Sequence, residues 1–455
     1  MNIPSEDADP NRSWMQRFQD KIGIEASQPI VRAIAANAGW LMFERIGIQA
    51  IRFFVGIWVI RYLGPEGYGV YSYSVSFVVL AATFSALGLD NIVTRECARD
   101  RYESGRVLAT AFWLRGAAAI IIAGLTIGGI FVLEEDVLVK SAVSIIAFRM
   151  IFESSFVADF WFRSQIESKY SVAVRTAGAV VAASLQVGAI LLDASVLVFL
   201  GILVAQSAVQ ALGFAIMMYR HGPPVSSLAP SAEIGKQLLR DSWPLMISAF
   251  STMVYMKMDQ IMLKQMSSSE AVGIYASAAK LSELWYFIPV ALTNSVFPEI
   301  VRLKEEAESK KYLERVQQFY DLIGGVVYAV TITVTLSAPY VVPLLFDDAY
   351  TGATAILQIH VWSFIFIGLG FARGKWLVAE NLTRFAMAAT LLGATVNVGL
   401  NLWLIPNYQG IGAAWATLIS YAIYAYFSLL LSRKTRVAFV QMTKAFFAPI
   451  RYLMR

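Results

Sequence analysis

The sequence predicts an all-α polytopic membrane protein of twelve transmembrane helices in two six-helix halves. Three observations carry this. Of 455 residues, 57% are hydrophobic and only 15% charged, whereas soluble domains carry about 25% charged residues. The apolar residues come in runs of ~20 or more, the length an α-helix needs to cross a ~30 Å hydrocarbon core. A short motif also recurs at a constant offset in the two halves.

Charge clusters and Pro, Gly or Asp signals divide the apolar runs into spans at 38–62, 68–90, 107–133, 138–161, 171–192, 195–219, 242–263, 272–297, 319–345, 354–378, 384–405 and 410–432. An even count puts both termini on one side. Of the 37 Lys and Arg, 27 fall in the tails and alternate loops of one set, and only Arg61, Lys140 and Lys264 in the other. By the positive-inside rule both termini are cytoplasmic. The polar first 33 residues carry no signal-peptide pattern, so the first span is expected to drive insertion. The single Cys97 makes no internal disulfide, and the +5 net charge is not gathered into a basic block, so no nucleic-acid partner is expected.

The loop 220–241, with three Pro, separates a first lobe (38–219) from a second (242–432), flanked by a tail 1–37 and a basic tail 433–455. Residues 66–75 read EGYGVYSYSV and 270–279 read EAVGIYASAA, so that Glu66, Gly69 and Tyr71 recur as Glu270, Gly273 and Tyr275, 204 residues on. A repeat of unchanged orientation relates the halves by an axis along the membrane normal, with a substrate path between them.

Seven cations remain inside spans: Arg45, Arg52, Arg115, Arg149, Arg175, Lys257 and Lys280. A central Arg or Lys costs about 2.5–3.5 kcal/mol on the insertion scale, so such residues face protein interior or a watery cavity. Some have structural explanations. Arg149 and Glu153 are spaced i, i+4, Lys280 and Glu283 i, i+3, and Arg115 and Arg175 lie near enough to a span end to snorkel. Arg45 and Arg52 share one face of span 1, and Arg52 has no acid a turn away. Asp259, Glu283 and Glu44 are the acids available for an ion or proton. His360 reads as a packing residue or a proton relay. Pro289 is expected to kink span 8, and the glycines 124, 128, 129, 410 and 412 to admit close helix approach. The basic tail with Phe446 and Phe447 reads as a membrane-surface segment. Two histidines exclude an HExxH helix and no GxxxxGK[ST] occurs, so no enzyme activity, metal or cofactor is expected.

The runs RYLGPEGYGVYSYSVSFVVLAATFSALGLDNIVTRE (61–96), MDQIMLKQMSSSEAVGIYASAAKL (258–281), SVFPEIVRL (295–303) and NVGLNLWLIPNYQGIGAAWATLISY (397–421) resemble the Wzx-type polysaccharide flippases. These form the oligosaccharide-lipid branch of the multidrug/oligosaccharidyl-lipid/polysaccharide exporter superfamily. The resemblance implies a V of two lobes around a central cavity lined mainly by spans 1, 2, 7 and 8. It also implies a polyprenyl-diphosphate-linked oligosaccharide as substrate, moved across the bacterial inner membrane for O-antigen, capsule or exopolysaccharide assembly, with polymerase and assembly proteins as partners. In that reading Arg52, Arg45, Lys257, Lys280, Arg149, Arg115 and Arg175 form a cationic cavity for the diphosphate. Tyr71, Tyr73, Tyr255 and Tyr275 contact sugars, and Asp259, Glu283 or Glu44 carries a coupling ion. The alternative is a multidrug-extruder-type H⁺ or Na⁺ antiporter, against which an excess of intramembrane cations argues when the cargo is cationic.

Overall fold

A computed structural model describes the backbone of residues 29–100, 102–305 and 309–448, with side chains described over the same stretches except 29–46, 225, 305 and 309. Among the described residues the chain is helical and crosses the membrane twelve times. Pro29–Ala86 holds spans 1 and 2, broken at Gly64, whose φ of 64° is open to glycine without a side-chain clash. Pro65 restarts the helix, where its missing N–H costs nothing. Ser104–Leu133 is span 3. Span 4 is assembled from Val137–Ala147, Arg149–Glu153 and Val157–Ser164. Ser168–Leu191, Val196–His221 and Ala232–Met266 are spans 5, 6 and 7. Ser269–Glu283 and Phe287–Glu305 form span 8, Ser309–Leu345 span 9, and Gly352–His360 with Ser363–Ala379 span 10. Thr383–Ala425 holds spans 11 and 12, broken at Gln409.

Among the described residues, eight helical stretches are long and apolar enough to cross a membrane. Two of these contain two spans each. Spans 4 and 7 lie outside the eight; span 4 is divided into three short helices, and span 7 carries Lys257 and Asp259 along its length.

Local chemistry sets the ends. Asp136 caps span 4 by accepting from the Leu138 N–H at 2.8 Å, and Ser268 caps span 8 by accepting from Ala271 at 3.1 Å, each satisfying a donor that the helix leaves open. In span 8 a 3-10 turn, Leu284–Tyr286, separates the two segments. The cause is Pro289, which offers no N–H to the Trp285 carbonyl four residues back.

The boundaries depart from the sequence expectation in three places. Span 2 ends at Ala86, and a separate helix, Asp90–Arg99, follows. The segment 220–241 is only partly a loop: span 7 begins at Ala232, capped by Ser231, whose own N–H donates to Thr110 of span 3 at 2.9 Å. The basic tail contains the helix Arg436–Phe446, seated on span 9 through Ala438, Met442 and Ala445. Gln317 donates to the Gln441 carbonyl and Gln441 to that of Leu313, both at 3.1 Å. Phe446 is therefore turned inward against Tyr426, 4.9 Å between ring centres, while Phe447 stays exposed. A side chain at Gly124, Gly128 or Gly129 would meet open space, so these glycines make no close helix contact, whereas Gly410 and Gly412 are packed against Ile356 and Leu404.

The two halves form a V. Near Gly64 they share one core, in which Ile60, Tyr68 and Leu200 pack with Leu263, Tyr275, Phe346 and Ala413. Toward Arg99 the core divides. Leu89, Val107, Phe160 and Phe214 form a cluster with Leu238 of the span 7 extension, and Ile300, Tyr320, Phe364 and Met442 form another wholly within the second half. Cross-half bonds gather at the Gly64 end: Tyr350 donates to the Ile60 carbonyl at 2.8 Å, Arg61 pairs with Asp347 at 2.9 Å, and Gln265 donates to Tyr73 at 3.1 Å. Spans 2 and 7 stay together along one flank, through Ser76 and Gln260 (2.6 Å) and then Phe84 and Phe250 (ring centres 4.6 Å).

Candidate functional site

Span 1 presents Arg52 and span 4 presents Arg149 to a cavity of about 290 Å³ enclosed by spans 1, 2, 4, 5 and 6. Span 8 of the other half closes it with Lys280. Tyr71, Gln186 and Gln206 supply neutral hydrogen-bonding groups to the same wall. The i, i+4 spacing of Arg149 and Glu153 does produce an ion pair, Nε to Oε1 at 2.6 Å. Arg149 therefore holds its acid and lines the cavity together. The Lys280 ammonium rests against Gly56 and lies 5.9 Å from the centre of the Tyr68 ring. Three cations from three spans thus meet, one of them paired with Glu153, an arrangement that attracts an anion and offers it forked donors.

The remaining candidates lie elsewhere. Arg115 is buried and pairs with Asp90 at 3.4 Å over the Phe160 ring. The pairing replaces the expected snorkelling, because helix Asp90–Arg99 folds back to supply an acid. Arg175 pairs with the buried Asp159 at 3.1 Å, and Arg163 with the same carboxylate. Neither Arg115 nor Arg175 lines the cavity. Span 7 does not line this pocket either: Lys257 is half-buried on it, and Asp259 is turned into the second half. The side chains of Arg45 and Glu44 lie outside the described residues.

Asp259 is the centre of a buried network. It is 2% exposed and accepts from Tyr275 at 2.7 Å, Asn397 at 3.0 Å, Asn401 at 2.5 Å, and Thr417. Spans 7, 8, 11 and 12 thus converge on one carboxylate, whose charge is spread over four neutral donors. His360 sits with its ring edge to Tyr275, 5.8 Å between centres. Of the tyrosines expected at sugars, Tyr71 alone lines the cavity. Tyr73 is buried against Gln265, Tyr275 is committed to Asp259, and Tyr255 stacks on Tyr424 at 5.5 Å.

Sequence reasoning missed two features. Arg373, counted with the loop cations, is 1% exposed inside the second half, bonded to Ser428 at 3.0 Å and lying over Tyr424. Its position within the apolar run 354–378 was the available signal. Asn397 and Asn401 went unremarked, although two asparagines spaced i, i+4 in an apolar helix mark a polar face.

The model of the polysaccharide biosynthesis protein family matches residues 34–304, and a second family model, MatE, matches 244–403. The "Lipid III flippase" of Escherichia coli (strain K12) is 26% identical over 218 residues, which cover 46% of this chain and 51% of that protein, so the match spans about half the relative's length. Two solved structures share the fold at a TM-score of 0.73. One is an inward-facing multidrug resistance MATE family transporter of the MOP superfamily, 16% identical, with 87% of this chain and 96% of that one covered. The other is the lipid II flippase MurJ in an inward closed conformation, 11% identical, with 91% and 92% covered. The fold is the V of the MOP transporters. With well over half its length matched by one family model, this chain belongs to the polysaccharide biosynthesis protein family.

Proposed function

We propose that this protein is a flippase that moves polyprenyl-diphosphate-linked oligosaccharide from the cytoplasmic to the outer face of the inner membrane, for assembly into a surface polysaccharide. The observation that carries this reading is the cavity where Arg52, Arg149 and Lys280 meet, with Glu153 paired to Arg149. A diphosphate is a dianion or more, and Arg matches its oxygens by forked contact. The sugars extend toward Tyr71, Gln186 and Gln206, and the polyprenyl tail stays in lipid. The excess of Lys and Arg at the Arg99 end supports a cytoplasmic placement of that end and of both termini, with the V open toward the side where lipid-linked precursors are charged with sugar. Carrying negative charge outward across an inside-negative membrane gains about 2.3 kcal/mol per charge per 100 mV. The delivered unit is then available to a polymerase.

Resetting the empty carrier calls for a second ion, and Asp259 is the acid best placed to take it. Four hydrogen-bond donors surround its carboxylate, and the Oδ1 of Asn401 is buried with no partner among the described residues. Turned to present their oxygens, the Tyr275 and Thr417 hydroxyls and the two Asn amides would coordinate a hard cation such as Na⁺ beside that carboxylate. Glu283, half-buried on span 8, is the other described acid on that route.

The test is complementation of a strain lacking the flippase of this protein's own glycan pathway, with surface polysaccharide as readout. The native chain is expected to restore it, and well-expressed Arg52→Ala and Arg149→Ala variants are expected to fail. A native chain that is expressed while its cognate substrate accumulates inside would defeat the proposal in favour of small-molecule antiport, the reading that the MatE match to the second half favours.

A further inference from the structure

The repeated glycines meet in the fold. Gly69 on span 2 and Gly273 on span 8 face each other where the halves cross, and the contact is symmetric. A Cβ on Gly69 would strike the Ser269 carbonyl, and one on Gly273 would strike the Pro65 carbonyl. The same added atoms would lie 3.1 Å from the Gly273 nitrogen and 3.0 Å from the Gly69 nitrogen respectively. Each obstructing carbonyl sits four residues before the opposing glycine, so the two helices touch backbone to backbone over one turn. Ordinary contact between carbon and its neighbours needs ~3.5 Å. A methyl group at either position must therefore push span 8 outward on the order of 1 Å, because backbone, unlike a side-chain tip, cannot rotate aside.

Lys280 lies two turns beyond Gly273 on the same helical segment. It is the second half's contribution to a cavity otherwise built by the first, and its ammonium fits there because Gly56 leaves room for it: a Cβ at 56 would fall on the Lys280 Nζ. Three glycines thus govern one ammonium, two by holding span 8 close and one by leaving the seat empty.

We propose that Gly69, Gly273 and Gly56 are positioning residues that complete the anion site by delivering Lys280 across the boundary between the halves, so that the diphosphate is bound only while the Gly69–Gly273 crossing is closed. This rests on the reading of the cavity as a diphosphate site. It adds that the site belongs to both halves and comes apart when they separate at that crossing, which releases the cargo in the open state.

The experiment is equilibrium binding of radiolabelled geranylgeranyl diphosphate to the purified full-length chain in detergent. The variants are Lys280→Gln, Gly56→Ala and Gly69→Ala, together with the two doubles that combine each glycine change with Lys280→Gln. Loss of one charge-assisted contact predicts that each single variant binds about tenfold more weakly. If the glycines act through Lys280, each double binds no more weakly than Lys280→Gln alone. A general loosening of the fold would instead add to the Lys280→Gln loss, and additive losses overturn the proposal. So does native affinity in both glycine variants. If Gly69→Ala fails to yield monodisperse protein, Gly56→Ala decides alone, because its methyl meets only the flexible tip of a side chain. Native-like binding by Lys280→Gln, or none by the native chain, overturns the diphosphate reading itself and this inference with it.

Discussion

Tyr71 and Tyr275 occupy the same place in the two halves of the repeat, yet Tyr71 lines the cavity of Arg52 and Arg149 while Tyr275 donates to the carboxylate of Asp259 at 2.7 Å. One position in a duplicated helix serves a basic pocket in one half and an acidic centre in the other. The halves have kept a common backbone and taken opposite electrostatic roles.

The acidic centre predicts a graded loss of stability. Asp259→Asn turns an amide N–H₂ toward donors that previously had an acceptor, and hydrogen bonds to a charged group are worth about 1.5–3 kcal/mol each. The variant is expected to melt well below the native chain in detergent, and Tyr275→Phe, which removes one donor, to fall by clearly less. Thermal unfolding followed by tryptophan fluorescence checks the order. Equal midpoints for native and Asp259→Asn would mean that the network adds nothing to stability.

In the basic pocket, Glu153 competes with any anion for Arg149, which it holds at 2.6 Å. Glu153→Gln is expected to tighten polyprenyl-diphosphate binding several-fold, about 1 kcal/mol for a released partly exposed pair, and to slow release. Binding and dissociation of a labelled polyprenyl diphosphate measure both. Weaker binding would show that Glu153 orients Arg149 more than it competes with the ligand.

The Arg61–Asp347 bridge joins the halves, but its side chains are 50% and 56% exposed. Pairs so solvated contribute about 0.2–1 kcal/mol, so Arg61→Ala is expected to change transport by less than about fivefold. Tyr350→Phe, which strips a buried bond to the Ile60 carbonyl at 2.8 Å, is expected to shift the balance between open and closed states further. Transport rates of the two variants in one assay rank these contacts.

Cys97, on the short helix after span 2, is 1% exposed, and burial pushes its thiol up to about 12. Only the thiolate is nucleophilic, so the folded chain is expected to resist N-ethylmaleimide at neutral pH and to react once denatured. Mass spectrometry of intact protein reads this directly. Rapid labelling of the native chain would mean that helix Asp90–Arg99 leaves its seat.

Much of this was written locally. Span positions follow from runs of apolar residues, the Arg149–Glu153 pair from helical spacing, and the Gly69–Gly273 correspondence from the repeat. Contacts between distant segments were not legible, because helix periodicity shows which residues share a face but not which face meets which. Arg115 finds Asp90 through a turn at Gly88, where φ is +64°. Asp259 gathers three of its four donors from residues 138 to 158 positions away. Arg373 was assigned to a loop because a cation near a span end is ordinarily solvated, whereas here the Ser428 hydroxyl and the face of Tyr424 take the place of water.

The division of the core sets an order of events during synthesis. The cluster around Leu89, Phe160 and Phe214 is complete once Leu238 has been made, so that end of the first half can pack while most of the second is still on the ribosome. The shared core near Gly64 cannot, since it waits for Ala413 in span 12. Until then Ile60 and Tyr68 have no permanent neighbours from the second half. A nascent chain halted before span 12 therefore presents a half-finished seam, where membrane quality control would be expected to act.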